Sequence, residues 1–263
     1  IEGLSIASKQ IADALASEKN GLQVTGLDNI QFLAALKFYR NRPRTAIWKA
    51  RVYLDNGALV ADARLESMLA RFGQDPEPML HFTARVHLEP LQAPRAHVVE
   101  RAPHWNGQLT LNADEIYKLY FHGPSFQVLE AVQNDGDEVI GKLQSKLPPF
   151  SDQKDHVVTA PMLVELCMQT AGVWEIGRTG TLALPRSIAS LKVFETSMNG
   201  ARIFAEVKPQ EVEDGQLRFD ARVVDEKGRL YLEMQDYRTA PLPYSMEKDQ
   251  LETLQAWMTN SKE

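Results

Sequence analysis

The sequence predicts an α+β fold made of two similar units, each wrapping a curved antiparallel sheet around one central helix. Two observations lead to this prediction. A helical pattern followed by four strand-like stretches occurs twice along the 263 residues. Residues typical of turns separate the stretches in both halves. The repeat decides the predicted architecture, because a fold assigned without recognising it would be wrong.

The first unit begins on a predicted helix over residues 1–16. Small and apolar residues recur there at the steps of three and four that indicate one buried helix face: Ile1, Leu4, Ser8, Ile11 and Leu15. We expect Gly21 and Gly26 to break the chain after this helix. Alternating apolar and polar residues then predict four strands, over about 28–38, 44–54, 58–70 and 78–89.

The second unit has a predicted helix that starts at Pro161, a residue suited to a first helical turn, and ends at Gly177 and Gly180. Strands are predicted after this helix over about 186–196, 200–209, 215–225 and 229–239, and before it over about 125–133 and 138–147. The first unit starts directly on its helix and lacks counterparts of those two earlier strands. A helix wrapped in this way is a hotdog arrangement, so the chain is predicted to be a double hotdog whose N-terminal hotdog is incomplete. The alternative is a generic α+β protein with two hairpin-rich halves.

Four segments follow from this pattern. Residues 1–90 form the N-terminal hotdog without its first strands, and residues 108–242 form the C-terminal hotdog. Residues 91–107 are rich in proline and polar residues and are predicted to be a linker. Residues 243–263 form a charged tail with Leu251, Leu254 and Trp257 at helical spacing. We interpret this tail as a linker rather than as a docking helix.

Composition excludes several classes of protein. The net charge of −6 argues against nucleic-acid binding, which needs a cationic surface. The sequence has no apolar run of about 18 residues, so no membrane span is expected. Cys167 is the only cysteine, so an intramolecular disulfide is impossible, and we expect a cytoplasmic protein.

Three motifs, in order along the chain, resemble a known family. Tyr120-Phe121-His122-Gly123-Pro124-Ser125-Phe126 is similar to Y-x-Y-G-P-x-F, which opens the C-terminal hotdog of polyketide synthase dehydratases. The segment from Pro161 to Gln169 is similar to their P-x-L-x-D-x-x-x-Q helix start, and Leu184-Pro185-Arg186-Ser187 resembles their L-P-x-S stretch. The resemblance spans about residues 1–240 and includes the dehydratases of polyunsaturated fatty acid synthases.

The resemblance implies a reaction and partners. It implies that a dehydratase domain of a modular polyketide or fatty acid synthase removes water from a 3-hydroxyacyl thioester and leaves a 2-enoyl thioester. The substrate would be carried on the phosphopantetheine of an acyl carrier protein, with no cofactor or metal. Partners would be that carrier protein, neighbouring synthase domains and a second copy in a homodimer. The substrate-binding residues would be Tyr120, His122, Gly123, Pro124 and Phe126.

Dehydration needs a base for the α-proton and an acid for the departing hydroxyl. Glu165 lies one turn into the second helix among apolar neighbours, where desolvation favours a protonated acid. Gln169 follows four residues later on the same helix face and can orient the carboxyl or hold the hydroxyl. We therefore predict that Glu165 and Gln169 are catalytic. The competing interpretation is a glutamate at the mouth of a core helix, bonded only to backbone.

The sequence departs from the family pattern at three points. Glu165 replaces the usual aspartate, and His122 replaces the second tyrosine. The family's catalytic histidine, in H-x-x-x-G-x-x-x-x-P ahead of the first helix, has no match in the sequence, so we expect it upstream of Ile1. Of the histidines present, His156 is the one near Glu165 in sequence, as a weak substitute base. A product-template-like cyclase and a non-catalytic docking or dimerisation domain stay open as alternatives.

Overall fold

The computed structural model describes residues 1–16, 21–38, 43–69, 75–92, 97–147, 157–198, 200–211 and 216–260. Within these ranges the chain forms four α-helices: α1 (Glu2–Leu15), α2 (Ala113–Leu119), α3 (Pro161–Thr179) and α4 (Lys248–Asn260). The first six strands are β1 (Leu22–Phe32), β2 (Ala46–Asp55), β3 (Ala58–Leu69), β4 (Glu77–Pro90), β5 (His97–Val98) and β6 (Thr110–Asn112). The other six are β7 (Leu129–Asp135), β8 (Glu138–Leu143), β9 (Thr181–Val193), β10 (Ile203–Glu211), β11 (Leu217–Asp225) and β12 (Arg229–Ser245).

The strands join into one sheet with the order β2-β3-β4-β1-β9-β12-β11-β10-β8-β7-β6, and β5 pairs with β12. The two halves of this order mirror each other. In each half the first strand after the helix lies beside the fourth, and the third separates the fourth from the second. The halves meet where β1 pairs antiparallel with β9, with Leu27 opposite Leu191. The predicted twofold repeat and the double hotdog are therefore confirmed.

Each central helix packs on the sheet of its own half. Helix α1 contacts β1 to β4, and α3 contacts β7 to β12. Helix α1 buries Leu4, Ser8 and Ala12, whereas Ile11 and Leu15, which were predicted to lie on its buried face, are exposed. Helix α3 is apolar nearly all round and buries ten of its residues. The sheet and α4 pack against this helix.

Two glycines predicted to break the chain instead allow close packing. Strand β1 starts at Leu22, earlier than predicted, and runs through Gly26. A β-carbon at Gly26 would lie 2.6 Å from the carbonyl oxygen of Leu191, so glycine permits the approach of β1 to β9. Gly177 lies inside α3, where a β-carbon would be 2.7 Å from Met258 Cγ. The helix ends only at Gly180, whose φ of 70° is the left-handed conformation that suits glycine.

The C-terminal segment is part of the fold, and the linker interpretation is wrong for it. Strand β12 crosses the predicted boundary at residue 242 and continues to Ser245. Helix α4 then packs on α2, α3 and β6. Its buried residues are Leu251, Leu254 and Trp257. The indole Nε1 of Trp257 donates to the carbonyl of Leu109 over 2.6 Å. Apolar side chains at helical spacing were enough to bury this helix despite its charged outer face.

Within the predicted linker, His97 and Val98 form the short strand β5 on the edge of β12. Across the part of the chain that the structure describes, none of the helices has the length and apolar character needed to cross a membrane.

Candidate active site

Glu165 lies near the start of α3, with a side chain that is 24% exposed. The helix begins abruptly because Pro161 occupies its first turn and Ala160 ahead of it adopts φ 53°, a left-handed conformation. Glu165 Oε1 accepts a hydrogen bond from Gln169 Nε2 over 2.7 Å. His122 Nε2 lies 3.3 Å from the same oxygen. Neither neighbour is backbone, so the carboxyl belongs to a cluster of side chains.

Gln169 is almost completely buried, at 2% exposure, and its amide has one possible orientation. Tyr117 accepts from the backbone N–H of Leu129 over 2.8 Å, so its own proton is free to point elsewhere. That proton goes to Gln169 Oε1 over 2.7 Å. The amide nitrogen therefore faces Glu165, and it also donates to the carbonyl of Phe126 over 2.7 Å.

Tyr117 is a site residue that the sequence reasoning missed. It lies on α2, which begins with a capping box in which Asn112 Oδ1 accepts from Glu115 N and Glu115 Oε2 accepts from Asn112 N. This N-x-x-E spacing was the available signal for a helix over Ala113–Leu119. Burial raises the pKa of Tyr117 to about 12, so the phenol stays protonated and keeps donating to Gln169.

Tyr120 is held against the same helix. Its hydroxyl donates to the backbone carbonyl of Gln169 over 2.7 Å. A β-carbon at Gly172 would lie 2.3 Å from that hydroxyl, so glycine makes room for it. Burial, with smaller contributions from Tyr237 and Glu175, raises the pKa of Tyr120 well above its ordinary value. The phenol is thus a permanent donor that fixes residue 120 on α3.

The remaining motif residues form the outer wall of the cluster. Pro124–Phe126 is a 3₁₀ turn after Gly123, closed by a hydrogen bond from Phe126 N to Gly123 O of 2.9 Å. The turn presents the carbonyl of Phe126 to Gln169. The rings of Phe121 and Phe126 are 65% and 56% exposed. The Phe121 ring stacks on His122, with centroids 5.0 Å apart.

The structure also locates other side chains of residue types that could carry chemistry. Cys167 is buried, and burial raises the pKa of its thiol, which is then a core residue rather than a nucleophile. His81 bonds to Ser67 and Ala34, and His87 pairs with Asp28 over 2.7 Å. His156 lies outside the described residues. Among the described residues, no three His, Cys, Asp or Glu side chains are grouped to hold a metal ion.

The geometry gives the two oxygens of Glu165 different surroundings. Oε1 faces two nitrogens, Nε2 of Gln169 and Nε2 of His122. Oε2 has no hydrogen-bond partner among the residues that the structure describes. A carboxyl held through one oxygen can keep a proton on the other and give it to a bound hydroxyl.

Comparisons with known proteins identify the family. The dehydratase domain from the CurF module of Curacin polyketide synthase superposes with a TM-score of 0.66 at 15% identity, covering 89% of this chain and 81% of that one. A trans-AT polyketide synthase dehydratase domain from Brevibacillus brevis gives 0.68 at 18% identity, covering 91% and 83%. The dehydratase domain of PpsC from Mycobacterium tuberculosis, in complex with C12:1-CoA, gives 0.62 at 17% identity, covering 90% and 82%.

At these identities the three structures establish the shared fold. The comparison with curated proteins finds none that matches the chain. The family described as "Polyketide synthase dehydratase N-terminal domain" matches residues 106–246, more than half of the chain, including the Glu165 cluster. The chain belongs to the polyketide synthase dehydratase family.

Proposed function

We propose that this chain removes water from a 3-hydroxyacyl thioester on an acyl carrier protein and leaves a 2-enoyl thioester. The observation that carries the proposal is Glu165, held through Oε1 by Gln169 while Oε2 has no partner among the described residues. Dehydratases of polyketide synthases are hydro-lyases in general, and they work with carrier proteins and neighbouring synthase domains. The carrier protein and a homodimeric state are part of this proposal.

Glu165 has the role of the acid. A base takes the proton from C2, the C2 electrons form the C2=C3 double bond, and the C3 hydroxyl leaves as water with a proton from Glu165 Oε2. We propose that the base is the histidine that the family carries ahead of its first helix. Acid–base elimination of this kind requires neither a cofactor nor a metal, and we propose that this reaction uses none.

Gln169 has the role of a positioning residue. Its amide is fixed from both ends, by Tyr117 at Oε1 and by Phe126 O at Nε2. An amide held in this way keeps the carboxyl of Glu165 in one rotamer, which preserves the alignment that proton transfer requires.

We propose that the motif from Tyr120 to Phe126 lines the substrate side of the cluster. Tyr120 is engaged with the Gln169 carbonyl, so it acts by placing the motif on α3. Gly123 and Pro124 shape the turn, and the exposed ring of Phe126 offers apolar contact to an acyl chain. His122 brings its Nε2 to 3.3 Å from Glu165 Oε1.

The test is a Glu165→Gln variant of the full-length protein, assayed with 3-hydroxyacyl thioesters on carrier protein and by the reverse hydration. Loss of the acid should lower kcat by about 10³-fold, and Glu165→Asp should keep part of the activity. The matched control is Glu252→Gln on the exposed face of α4, which should leave kcat unchanged. Dehydration by Glu165→Gln at the parent rate would refute the proposal.

A poly-β-keto thioester offered to the same protein distinguishes dehydration from the cyclisation of a product-template domain. Turnover of that substrate, with none of the 3-hydroxyacyl thioester, would identify a cyclase. Turnover of neither substrate would favour a docking or dimerisation role.

A further inference from the structure

Glu2, at the start of α1, receives hydrogen bonds from the segment that leads into α3. The backbone N–H of Val158 donates to Glu2 Oε1 over 2.7 Å, and the backbone N–H of Thr159 donates to Glu2 Oε2 over 2.9 Å. The hydroxyl of Thr159 donates to the same Oε2. Glu2 and Thr159 are 157 residues apart in the chain. One carboxyl of the N-terminal half therefore binds three donors of the C-terminal half through both of its oxygens.

The segment bound by Glu2 sets where α3 begins. Thr159 is completely buried, and Ala160 after it has the left-handed φ of 53°. A residue other than glycine keeps that conformation only where its surroundings hold it. Ala160, the N-cap residue, has no side-chain oxygen to cap the helix, and Pro161 at the first helical position has no N–H. The two bonds from Thr159 to Glu2 hold the residue directly before this turn.

The start of α3 is tied in turn to Glu165. The carbonyl of Ala160 accepts from Leu163 N over 2.9 Å and from Val164 N over 3.4 Å. Glu165 follows Val164 directly, within a helix whose regular backbone bonds fix the relative positions of its residues. A displacement of the segment before α3 would therefore reach the carboxyl of Glu165. Hydrogen bonds to an ionised carboxylate are about twice as strong as those between neutral groups, which suits Glu2 to hold this segment.

We propose that Glu2 is a positioning residue that holds the start of α3, and with it the carboxyl of Glu165, in a fixed place relative to the N-terminal half. The halves also meet where β1 pairs with β9, and Glu2 adds a link at the starts of the two central helices. Under the proposed function, the base lies ahead of α1 and the acid lies on α3. The catalytic consequence rests on that function, because the link then sets the separation of base and acid. Glu2 itself exchanges no proton with the substrate.

The contact is tested by hydrogen–deuterium exchange, resolved to single backbone amides, in the full-length protein. Glu2→Gln replaces one acceptor oxygen by an NH2 group, which cannot accept from Val158 or Thr159. Exchange at one or both of these amides should become about tenfold faster, the effect of one lost hydrogen bond. Glu252→Gln on the exposed face of α4 is the matched control and should leave both amides unchanged. Parent exchange rates at both amides in Glu2→Gln would overturn the proposal.

The positioning role is tested by kinetics in two backgrounds. Glu2→Gln should lower kcat about tenfold with little change in KM, because the acid is displaced while the substrate contacts remain. Glu2→Asp keeps a carboxyl and should recover part of this loss. In a Glu165→Gln background, Glu2→Gln should cause no further loss, because Glu2 acts through Glu165. An unchanged kcat in the parent background, or an equal loss in both backgrounds, would contradict the role.

A milder variant separates the role of Glu2 from a general loss of folding. Thr159→Val removes only the hydroxyl donor to Glu2 and should lower kcat about threefold in the parent background alone. The thermal midpoint of each variant checks folding. Parent kcat in Thr159→Val, or equal losses in both backgrounds, would contradict the role. If Glu165→Gln proves fully active, the proposed function fails, whereas exchange at Val158 and Thr159 still decides whether Glu2 holds the start of α3.

Discussion

The amide of Gln169 donates to the carboxyl of Glu165 over 2.7 Å, from Nε2 to Oε1. The two residues are four apart on α3, so a helix alone brings them together. The helix does not decide which end of the amide faces the carboxyl. Tyr117 decides that by occupying Gln169 Oε1 with its hydroxyl proton.

We expect Gln169→Met, which has a similar length but no amide, to lower kcat about tenfold with little change in KM. The reason is that Glu165 loses its fixed rotamer while the substrate contacts remain. Separate kcat and KM values for the parent and the variant check this. A rise in KM with an unchanged kcat would instead assign Gln169 to substrate binding.

Tyr117→Phe should destabilise the protein by about 1–3 kcal/mol, because the buried N–H of Leu129 and Gln169 Oε1 both lose their partner. Urea unfolding of the purified protein measures this loss. Tyr53→Phe is the matched control, since Tyr53 bonds to Asp62 at the exposed surface and should change stability by less than about 0.5 kcal/mol. Equal effects of the two substitutions would show that the Tyr117 contact contributes no more than a surface contact.

Trp257 attaches helix α4 to the C-terminal half. Trp257→Phe removes the bond from Nε1 to Leu109 O and should cost about 1 kcal/mol. Trp257→Ala also removes the buried ring and should cost about 3–5 kcal/mol. Thermal and urea unfolding check both values, with the exposed Gln255→Ala on the same helix as the control. Equal unfolding free energies for the three variants would show that α4 does not stabilise the fold by packing on it.

Glu175 is buried, with Oε1 accepting from Thr239 over 2.7 Å and Oε2 without a partner among the described residues. Burial raises the pKa of its carboxyl above the ordinary value, although the Thr239 bond opposes this. As pH rises past about 4.3, the ordinary value for glutamate, the unfolded chain releases a proton that the folded protein keeps. The folded state therefore loses stability with rising pH at this group, until the folded carboxyl also ionises.

Glu175→Gln removes this contribution. The unfolding free energy of the variant, relative to the parent, should therefore increase as pH is raised from about 4. Urea unfolding at a series of pH values measures it, and Glu252→Gln on the exposed face of α4 serves as the control. A difference between Glu175→Gln and the parent that does not vary with pH would contradict the assigned cause.

The sequence by itself determined the twofold repeat, the central helices and the shared face of Glu165 and Gln169. These follow from periodicity over a few residues, because neighbours along a helix or strand have fixed spacings. The same local reasoning misplaced the start of β1 and took Gly26 and Gly177 for breaks. A glycine that ends an element and one that admits a neighbouring backbone or side chain look the same in sequence, and the partners of these two, Leu191 and Met258, are far away along the chain.

Only the tertiary structure decided which residues complete the site. Tyr117 and Gln169 are 52 residues apart, and the link from Gln169 to the carbonyl of Phe126 spans 43. Packing of α2 and the motif from Tyr120 to Phe126 against α3 creates these contacts, together with the approach of His122 to Glu165. Burial of α4 was likewise decided by the surfaces it meets on α2 and α3. Such contacts depend on how the whole sheet places its helices, and a local pattern of residue types carries no record of that placement.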